Sequence, residues 1–570
     1  MKYVFLAFLL VVGCTKQNVV KDTISISIPS EIISLDPANC YDTVCNVPVT
    51  QVYESLFELE YLKRPYTLRP LIAKSFPVVS EDRRIYTFKI KKGITYHPSD
   101  IIPKGREVKA QDFVDQIKRI AFEPTRSTGW WLYDGKIKGL NEWRKVVGND
   151  LEKFFNAPVE GLSAPDDETL VIELIQPYPQ LLYTLAMSFS APIPAEAIRS
   201  TKNDLSLKHA GTGPYFIHSF NLSQEVILKK YPGYLTSVYP AQGDRYANEQ
   251  GLLKDAGAKL PFVENVRLVV IKESQTDWLN FLKHKIDMIN LTKDHYHVAL
   301  TADGKLKPEI GKDNIKLQAS PTLIYWWLQF NMKDPVLGNN LNLRKAIAHG
   351  INIEKYIELF TYNVAQKANS IYPPGIPGYS PSSDLPYKYD LGLAREFLAK
   401  AGYPEGKGLP KLVFDIRGTD TRRRQMGEYI QKELRTLGMS VDVNVNTFPA
   451  FLEKSRKGQL QFWQGGWVLD YPDAENVLQL LNSANMPAPN YSQYSNKKFD
   501  LLFNQLKFLE DGEEKFGLMR QMEKIVNEDM PWAMQYYTRN YILHHAYLEN
   551  FRYSDIIYNN IKYLKLNKKE

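Results

Sequence analysis

Leu412-Val413-Phe414-Asp415-Ile416, then Arg424 to Leu437, then Val441-Asp442-Val443-Asn444-Val445 follow one another, with Gly438 closing the middle segment. The outer two are short apolar runs that read as strands, and the middle one is a helix ended by its glycine. Leu393 to Ala401, stopped by Gly402, reads as a helix before them. Helix, strand, helix, strand is the rhythm of crossover units, which predicts an α/β protein with a mostly parallel sheet.

The same rhythm extends outward. Toward the N-terminus, Val266 to Ile271 reads as a strand, Trp278 to His284 as a helix and Ile286 to Ile289 as a short apolar strand. Thr23-Ile24-Ser25-Ile26-Ser27-Ile28 alternates strictly, as a half-buried strand does. Gln51 to Glu60 has helical spacing, Tyr86 to Ile90 alternates before a turn at Lys92-Gly93, and Ile94 to Tyr96 is a further short strand. Lys109 to Arg119 reads as a helix and Thr169 to Leu174 as a strand, and this region forms one insertion domain. Gly211-Thr212-Gly213-Pro214-Tyr215-Phe216 leads into a strand whose hairpin partner is Glu225 to Lys229. No Gly-Lys-Ser/Thr follows those glycines, so they are a turn rather than a phosphate loop. Beyond them, Trp326 to Asn331 reads as a strand, Arg344 to Gly350 as an amphipathic helix and Asp500 to Val526 as helical.

A chain of 570 residues exceeds one core, since single cores stop growing at about 250–300 residues. With 44% hydrophobic and 12% aromatic residues it is expected to fold throughout. The net charge of +7 is spread along the chain, which argues against nucleic acid as a partner. Lys2 and the apolar run Tyr3 to Val12 form an export signal too short to span a membrane, and Val11-Val12-Gly13-Cys14 resembles a lipobox. Residues 1–14 are therefore read as a lipoprotein signal, with Cys14 lipidated and first after cleavage. The other two cysteines, Cys40 and Cys45, suit a small disulfide loop in an oxidising compartment, ahead of a redox or metal pair. Asp294-His295-Tyr296-His297 can present two imidazoles from a strand, but two ligands make a weak metal site and a surface loop is the preferred reading.

Several segments together resemble the peptide- and dipeptide-binding family of ABC-transporter solute receptors, family 5 of the bacterial extracellular solute-binding proteins. They are Leu35-Asp36-Pro37 with Val52-Tyr53-Glu54-Ser55-Leu56, Pro70 to Ser75, Tyr86 to Ile90 with Lys92-Gly93, Ala110 to Val114, Gly211 to Tyr215, Gln329-Phe330-Asn331, Arg344-Lys345-Ala346, and Trp467-Val468-Leu469-Asp470-Tyr471-Pro472-Asp473. Ala474 stands where a proline is usual, and Lys285 where glycine is common. The resemblance implies a type II periplasmic binding-protein fold, with two lobes joined by a hinge and an inserted third domain. The first lobe would comprise residues 18–60, 190–290 and 530–570, the inserted domain 61–189 and the second lobe 291–529. Ligand would lie between the lobes. In the family an aspartate matching Asp470 holds the ligand's amino terminus. Gly466 and Val468 would offer backbone, and Trp467 a flat wall. Phe448 stands where relatives place a tryptophan, Asp42 lies in a loop longer than usual, and Ser455 and Gln464 replace arginines that relatives use for the ligand's carboxylate, with Arg456 adjacent.

The resemblance implies a peptide ligand, no cofactor, ABC permease and ATPase subunits as partners, a monomer, and a periplasmic or cell-surface location held to the membrane by the lipid anchor. Relatives also take nickel complexes, haem or oligosaccharides, so these stand as alternative ligands. An exported hydrolase is the alternative from another class. Neither Gly-x-Ser-x-Gly nor His-Glu-x-x-His occurs, and acidic pairs such as Asp470 and Asp473 are common in loops. The reading is a binding protein rather than an enzyme.

Overall fold

The computed structural model describes residues 22–312, 314–381 and 385–567; Cys14 and its signal lie outside them. One large sheet organises the chain. Its strands are β1 (Thr23–Ile28), β2 (Tyr215–Asn221), β3 (Glu225–Lys230), β4 (Asn265–Val270), β5 (Met288–Asn290), β6 (Ile315–Phe330), β7 (Leu412–Arg417), β8 (Val441–Asn446), β9 (Phe462–Val468) and β10 (Trp532–His545). They lie in the order β8-β7-β9-β6-β10-β5-β1-β4-β3-β2, with Gln366–Lys367 as an eleventh strand against β10.

The sheet is mixed, which corrects the mostly parallel expectation. Crossover units do set β7 parallel to β8 and β9, and β1 parallel to β4 and β5. The β2–β3 hairpin, however, adds an antiparallel edge to β4. More decisively, β6 and β10 run side by side antiparallel, from Ile315 opposite His545 to Gln329 opposite Trp532. These two long strands tie the halves of the sheet together. One hydrophobic core gathers around β1 and β4, another around β6 to β9. The result is a two-lobed α/β architecture with one core on each side of the paired long strands.

A separate antiparallel sheet of four strands, Val78–Val79, Ile85–Lys89, Thr169–Glu173 and Leu162–Asp166, packs against the helix Ala110–Ala121. Phe88, Phe113, Ile117, Leu170 and Ile172 are buried between them. This unit is fastened to the segment around Asp36 by a bidentate pair: the Arg119 guanidinium donates to both carboxylate oxygens of Asp36 at 2.5 and 3.1 Å, and its Nε donates to Asn203. Both side chains are sealed from water.

Three local expectations change. The helix predicted over Gln51–Glu60 is α1 (Thr43–Val52), followed by the strand Phe57–Leu59. Asp42 starts it, its carboxylate accepting from the amides of Val44 and Cys45, and Tyr53 is already extended. Pro48 inside the helix disguised it, because proline is a poor interior residue. The strand read at Trp326–Asn331 begins eleven residues earlier, at Ile315, with a register shift after Pro321, which has no amide hydrogen to give. Asp294–His297 belongs to the helix Lys293–Ala299 rather than to a strand or surface loop, and His295 is buried against Trp278 with its ring stacked at 5.0 Å.

Removing one partner of a buried ion pair strands the other charge, at a cost of about 3–5 kcal/mol. Arg119→Met should therefore lower unfolding free energy by about that amount in urea titrations. Arg119→Met combined with Asp36→Asn should recover part of the loss. An unchanged midpoint for the single variant would mean that the pair does not fasten the domain.

Candidate functional site

The site begins with two glycines. Gly465 and Gly466 sit in β9 opposite Trp327 and Trp326 of β6. A Cβ on Gly465 would lie 2.6 Å from both Gln329 Oε1 and Trp327 Nε1, and one on Gly466 would lie 2.4 to 2.9 Å from three carbons of the Trp326 six-membered ring. The glycines thus admit the tryptophans of the neighbouring strand, a use of their small size that the sequence does not show.

Past Val468 the strand ends, and Leu469 donates its amide to the Leu323 carbonyl. The chain then turns through Asp470, Tyr471 and Pro472 into the helix α2 (Ala474–Leu478). Asp473 caps that helix at the Glu475 amide and pairs with the buried Lys515 at 2.7 Å. It is Asp473, then, that serves as the turn cap. Asp470 is held differently, by Asn476. The Asn476 side-chain carbonyl accepts from the Trp467 indole at 2.9 Å and from the Asp470 amide at 3.3 Å, while its amino group donates to Asp470 Oδ2 at 3.2 Å. One asparagine two turns of chain away fixes both the wall and the carboxylate. Burial pushes the Asp470 carboxyl above its ordinary range, opposed by the Asn476 hydrogen bond. Among the described residues no lysine or arginine pairs with it.

Across from Asp470 lies the Cys40–Cys45 disulfide loop. Both cysteines are in the core, while Tyr41 at the tip is 58% exposed and has its ring 6.5 Å from that of Phe189. Burial and the Asp470 charge both raise the Tyr41 phenol, so the two residues feel each other. The loop positions Asp42 as the α1 cap.

Two chambers open around this junction. The larger, about 600 Å³, is lined by Asp42, Tyr53, Glu54, Trp131 and Tyr558 among others. The smaller, about 300 Å³, is lined by Arg417, Phe451, Trp463, Gly466, Trp467 and Trp532 among others. Tyr41, Val468 and Asp470 line both. The structure therefore brings Asp470, Trp467, Gly466, Val468 and Asp42 around one cleft. Phe448 heads the helix Phe448–Arg456, but its side chain lies outside the described residues; Phe451 and Leu452 of that helix line the smaller chamber.

The positions examined for a cation turn out otherwise. Ser455 is buried, giving its hydroxyl to the Phe451 carbonyl, Gln464 donates to Tyr356 and Gln535, and Arg456 is exposed. The cation in the chamber is Arg417, the last residue of β7, which sequence reasoning missed. Its guanidinium lies 4.3 Å over the Trp326 ring and has no carboxylate partner among the described residues. Burial, helped by Arg423, lowers it to about 10. The signal available was a basic residue closing the apolar strand Leu412–Ile416, immediately before Gly418.

Residues 67–487 match the bacterial extracellular solute-binding proteins, family 5. Heme-binding protein A of Haemophilus influenzae is 23% identical over 497 residues, covering 86% of this chain and 82% of the relative. The dipeptide-binding protein of Escherichia coli is 22% identical over 480 residues, covering 80% and 78%. Among solved structures, HbpA2 from Haemophilus parasuis superposes with a TM-score of 0.79 at 20% identity, covering 96% of this chain and all of that one. The protein belongs to family 5 of the bacterial extracellular solute-binding proteins. It is a binding protein of transport systems and not an enzyme.

Forcing a methyl group into the space held by Trp326 is overpacking, which costs about 1–3 kcal/mol. Gly466→Ala should lose about that much stability in thermal or urea unfolding, and Trp326→Leu in the same chain should restore most of it. A neutral Gly466→Ala would show that the glycine is not there for the indole.

Proposed function

We propose that this protein is a lipid-anchored extracytoplasmic receptor, acting as a monomer, that captures peptides between its lobes and delivers them to the permease and ATPase subunits of an ABC importer. The observation that carries the reading is Asp470, a largely buried carboxylate where both chambers meet, with no cation paired to it among the described residues. A carboxylate taken from water is costly unless a charge of opposite sign joins it. A peptide ammonium supplies that charge. Arg417, a half-buried cation without a carboxylate partner among the described residues, is the complementary clamp for a peptide carboxylate in the smaller chamber. The name of the dipeptide-binding relative fits a ligand with charges at both ends. The heme-binding relative raises haem as an alternative, but haem has carboxylates and no ammonium, so it would leave Asp470 unanswered.

In this reading residues 18–60, 190–290 and 530–570 form the first lobe, 61–189 the inserted domain and 291–529 the second lobe. Tyr183 of the inserted domain stacks on Tyr471 beside Asp470, with ring centroids 5.8 Å apart and planes 14° apart, as a closed cleft would require. Hinge closure gives a permease a shape to recognise. Cys14, after Val11-Val12-Gly13, carries the anchor; Cys14→Ser should abolish acyl mass and move the protein from the detergent phase to the aqueous phase.

The peptide reading is tested at Asp470. Stranding a ligand ammonium costs about 3–5 kcal/mol, which at about 1.4 kcal/mol per tenfold means a loss of roughly two to three orders of magnitude in affinity for Asp470→Asn. Acetylating the peptide's amino terminus should cause a similar loss, and calorimetry should find the two losses non-additive. The pH dependence has a definite sign. Burial raises the carboxyl in the empty cleft, and a bound ammonium favours its ionised form, so affinity should fall as pH falls through the raised value. Asp470→Asn should flatten that dependence. Equal binding of free and acetylated peptides would sink the reading.

A further inference from the structure

We infer that the smaller chamber is a specificity pocket for a bulky apolar side chain, aromatic before aliphatic, carried by the residue whose carboxylate meets Arg417. The inference rests on the peptide reading and deepens it.

The two chambers differ in their charged groups. The larger one sets the carboxylates of Asp42, Glu54, Glu58 and Asp555 among apolar side chains such as Phe57, Trp131 and Phe189. Four tryptophans, Trp327, Trp463, Trp467 and Trp532, dominate the smaller one. Among its described lining residues only Asp470 and Arg417 are charged.

The polar side chains that remain in its wall are mostly committed to protein partners. Ser455 donates to the Phe451 carbonyl, Gln464 to Tyr356 and Gln535, and Gln329 accepts from the Trp327 indole at 3.0 Å. What faces a ligand there is aromatic surface.

That surface is also rigid. Trp327 and Trp532 come from adjacent strands and pack with ring centroids 4.3 Å apart, while Trp463 belongs to a small core with Phe451 and Leu460. Trp467 is pinned through its indole to Asn476. A preorganised apolar pocket rewards a side chain that fills it and penalises one that brings unpaired polarity. A small side chain would leave much of the 300 Å³ to water or void. Ligand length beyond this residue would extend past Asp470 into the larger chamber, where carboxylates stand among apolar side chains.

The test uses calorimetry on the signal-free chain, stripped of carried ligand by partial denaturation and refolding. The probes are the dipeptides Ala-Phe, Ala-Ala, Ala-Asp and Ala-Lys, and the corresponding tripeptides with one more N-terminal alanine. In at least one length series, the phenylalanine peptide should bind about tenfold or more tightly than each of the other three, a difference of about 1.4 kcal/mol. Leu452, which lines the chamber, is the handle for a second arm. Leu452→Trp should shrink the ratio of phenylalanine to alanine affinity toward one, and Leu452→Phe should do so partially, circular dichroism reporting that each variant is folded. The ratio rather than either affinity is the readout. If the aspartate or lysine peptide matches the phenylalanine peptide, or if both folded variants keep the wild-type ratio, the pocket is not selective and the inference fails while peptide binding stands. If no probe of either length binds, the inference and the peptide reading fall together.

Discussion

Antiparallel pairing between Ile315–Phe330 and Trp532–His545 is the constraint on which the rest of the molecule depends. Each strand is long enough to serve both halves of the sheet. Toward one end the pair meets Met288–Asn290 and, through it, Thr23–Ile28; toward the other it meets Phe462–Val468. The cleft therefore opens beside a hydrogen-bonded ribbon rather than beside a loose linker. The same ribbon furnishes cleft walls, because Trp327 and Trp532 project from its paired strands. In the proposed reading, a ligand resting on these indoles would press on the strands that join the two halves of the sheet.

Glycine placement follows from that ribbon. Two tryptophans in succession, Trp326 and Trp327, crowd the facing strand, and Gly465 and Gly466 supply the space. The strand then ends at Val468, and Asn476 converts its continuation into a fixed presentation of Trp467 and Asp470. A carboxylate held by a neutral amide keeps its charge uncompensated. That differs from Asp473 nearby, which spends its oxygens on a helix amide and Lys515. Two aspartates three residues apart are given opposite tasks by their partners, one structural and one available.

How much of this was legible in the sequence depends on the range of the forces involved. Thr23–Ile28 and the Tyr215–Asn221/Glu225–Lys230 hairpin declared themselves through alternation and turn residues, which act over a few positions. The helix Thr43–Val52 did not, because Pro48 broke the expected pattern while the Asp42 cap secured the start. The first half of Ile315–Phe330 was hidden by Pro321, which a paired strand tolerates only with a local irregularity. Asp470 could be found from its motif. Arg417 could not, since its importance lies in meeting Trp326 from another strand and in lacking an acidic partner, neither of which is a property of neighbouring sequence. The smaller chamber is less legible still, being assembled from residues as far apart as Trp327 and Trp532.

The electrostatics of the cleft complete the picture. Several buried charges are answered by an ion pair within the chain: Arg119 by Asp36, Lys515 by Asp473 and Asp511, and Lys562 by Glu58 at 2.8 Å. Glu58 sits on the edge of the larger chamber, and with Arg69 and Lys562 beside it burial is overcome and its carboxyl is lowered to about 2. Asp470 and Arg417 have no such partner among the described residues. Burial raises the one and lowers the other, so ionisation of each is less favourable than it would be in water. In the proposed peptide reading, a ligand that brings both charges answers both groups, an uncharged solute leaves both unmatched, and a solute with one charge leaves one.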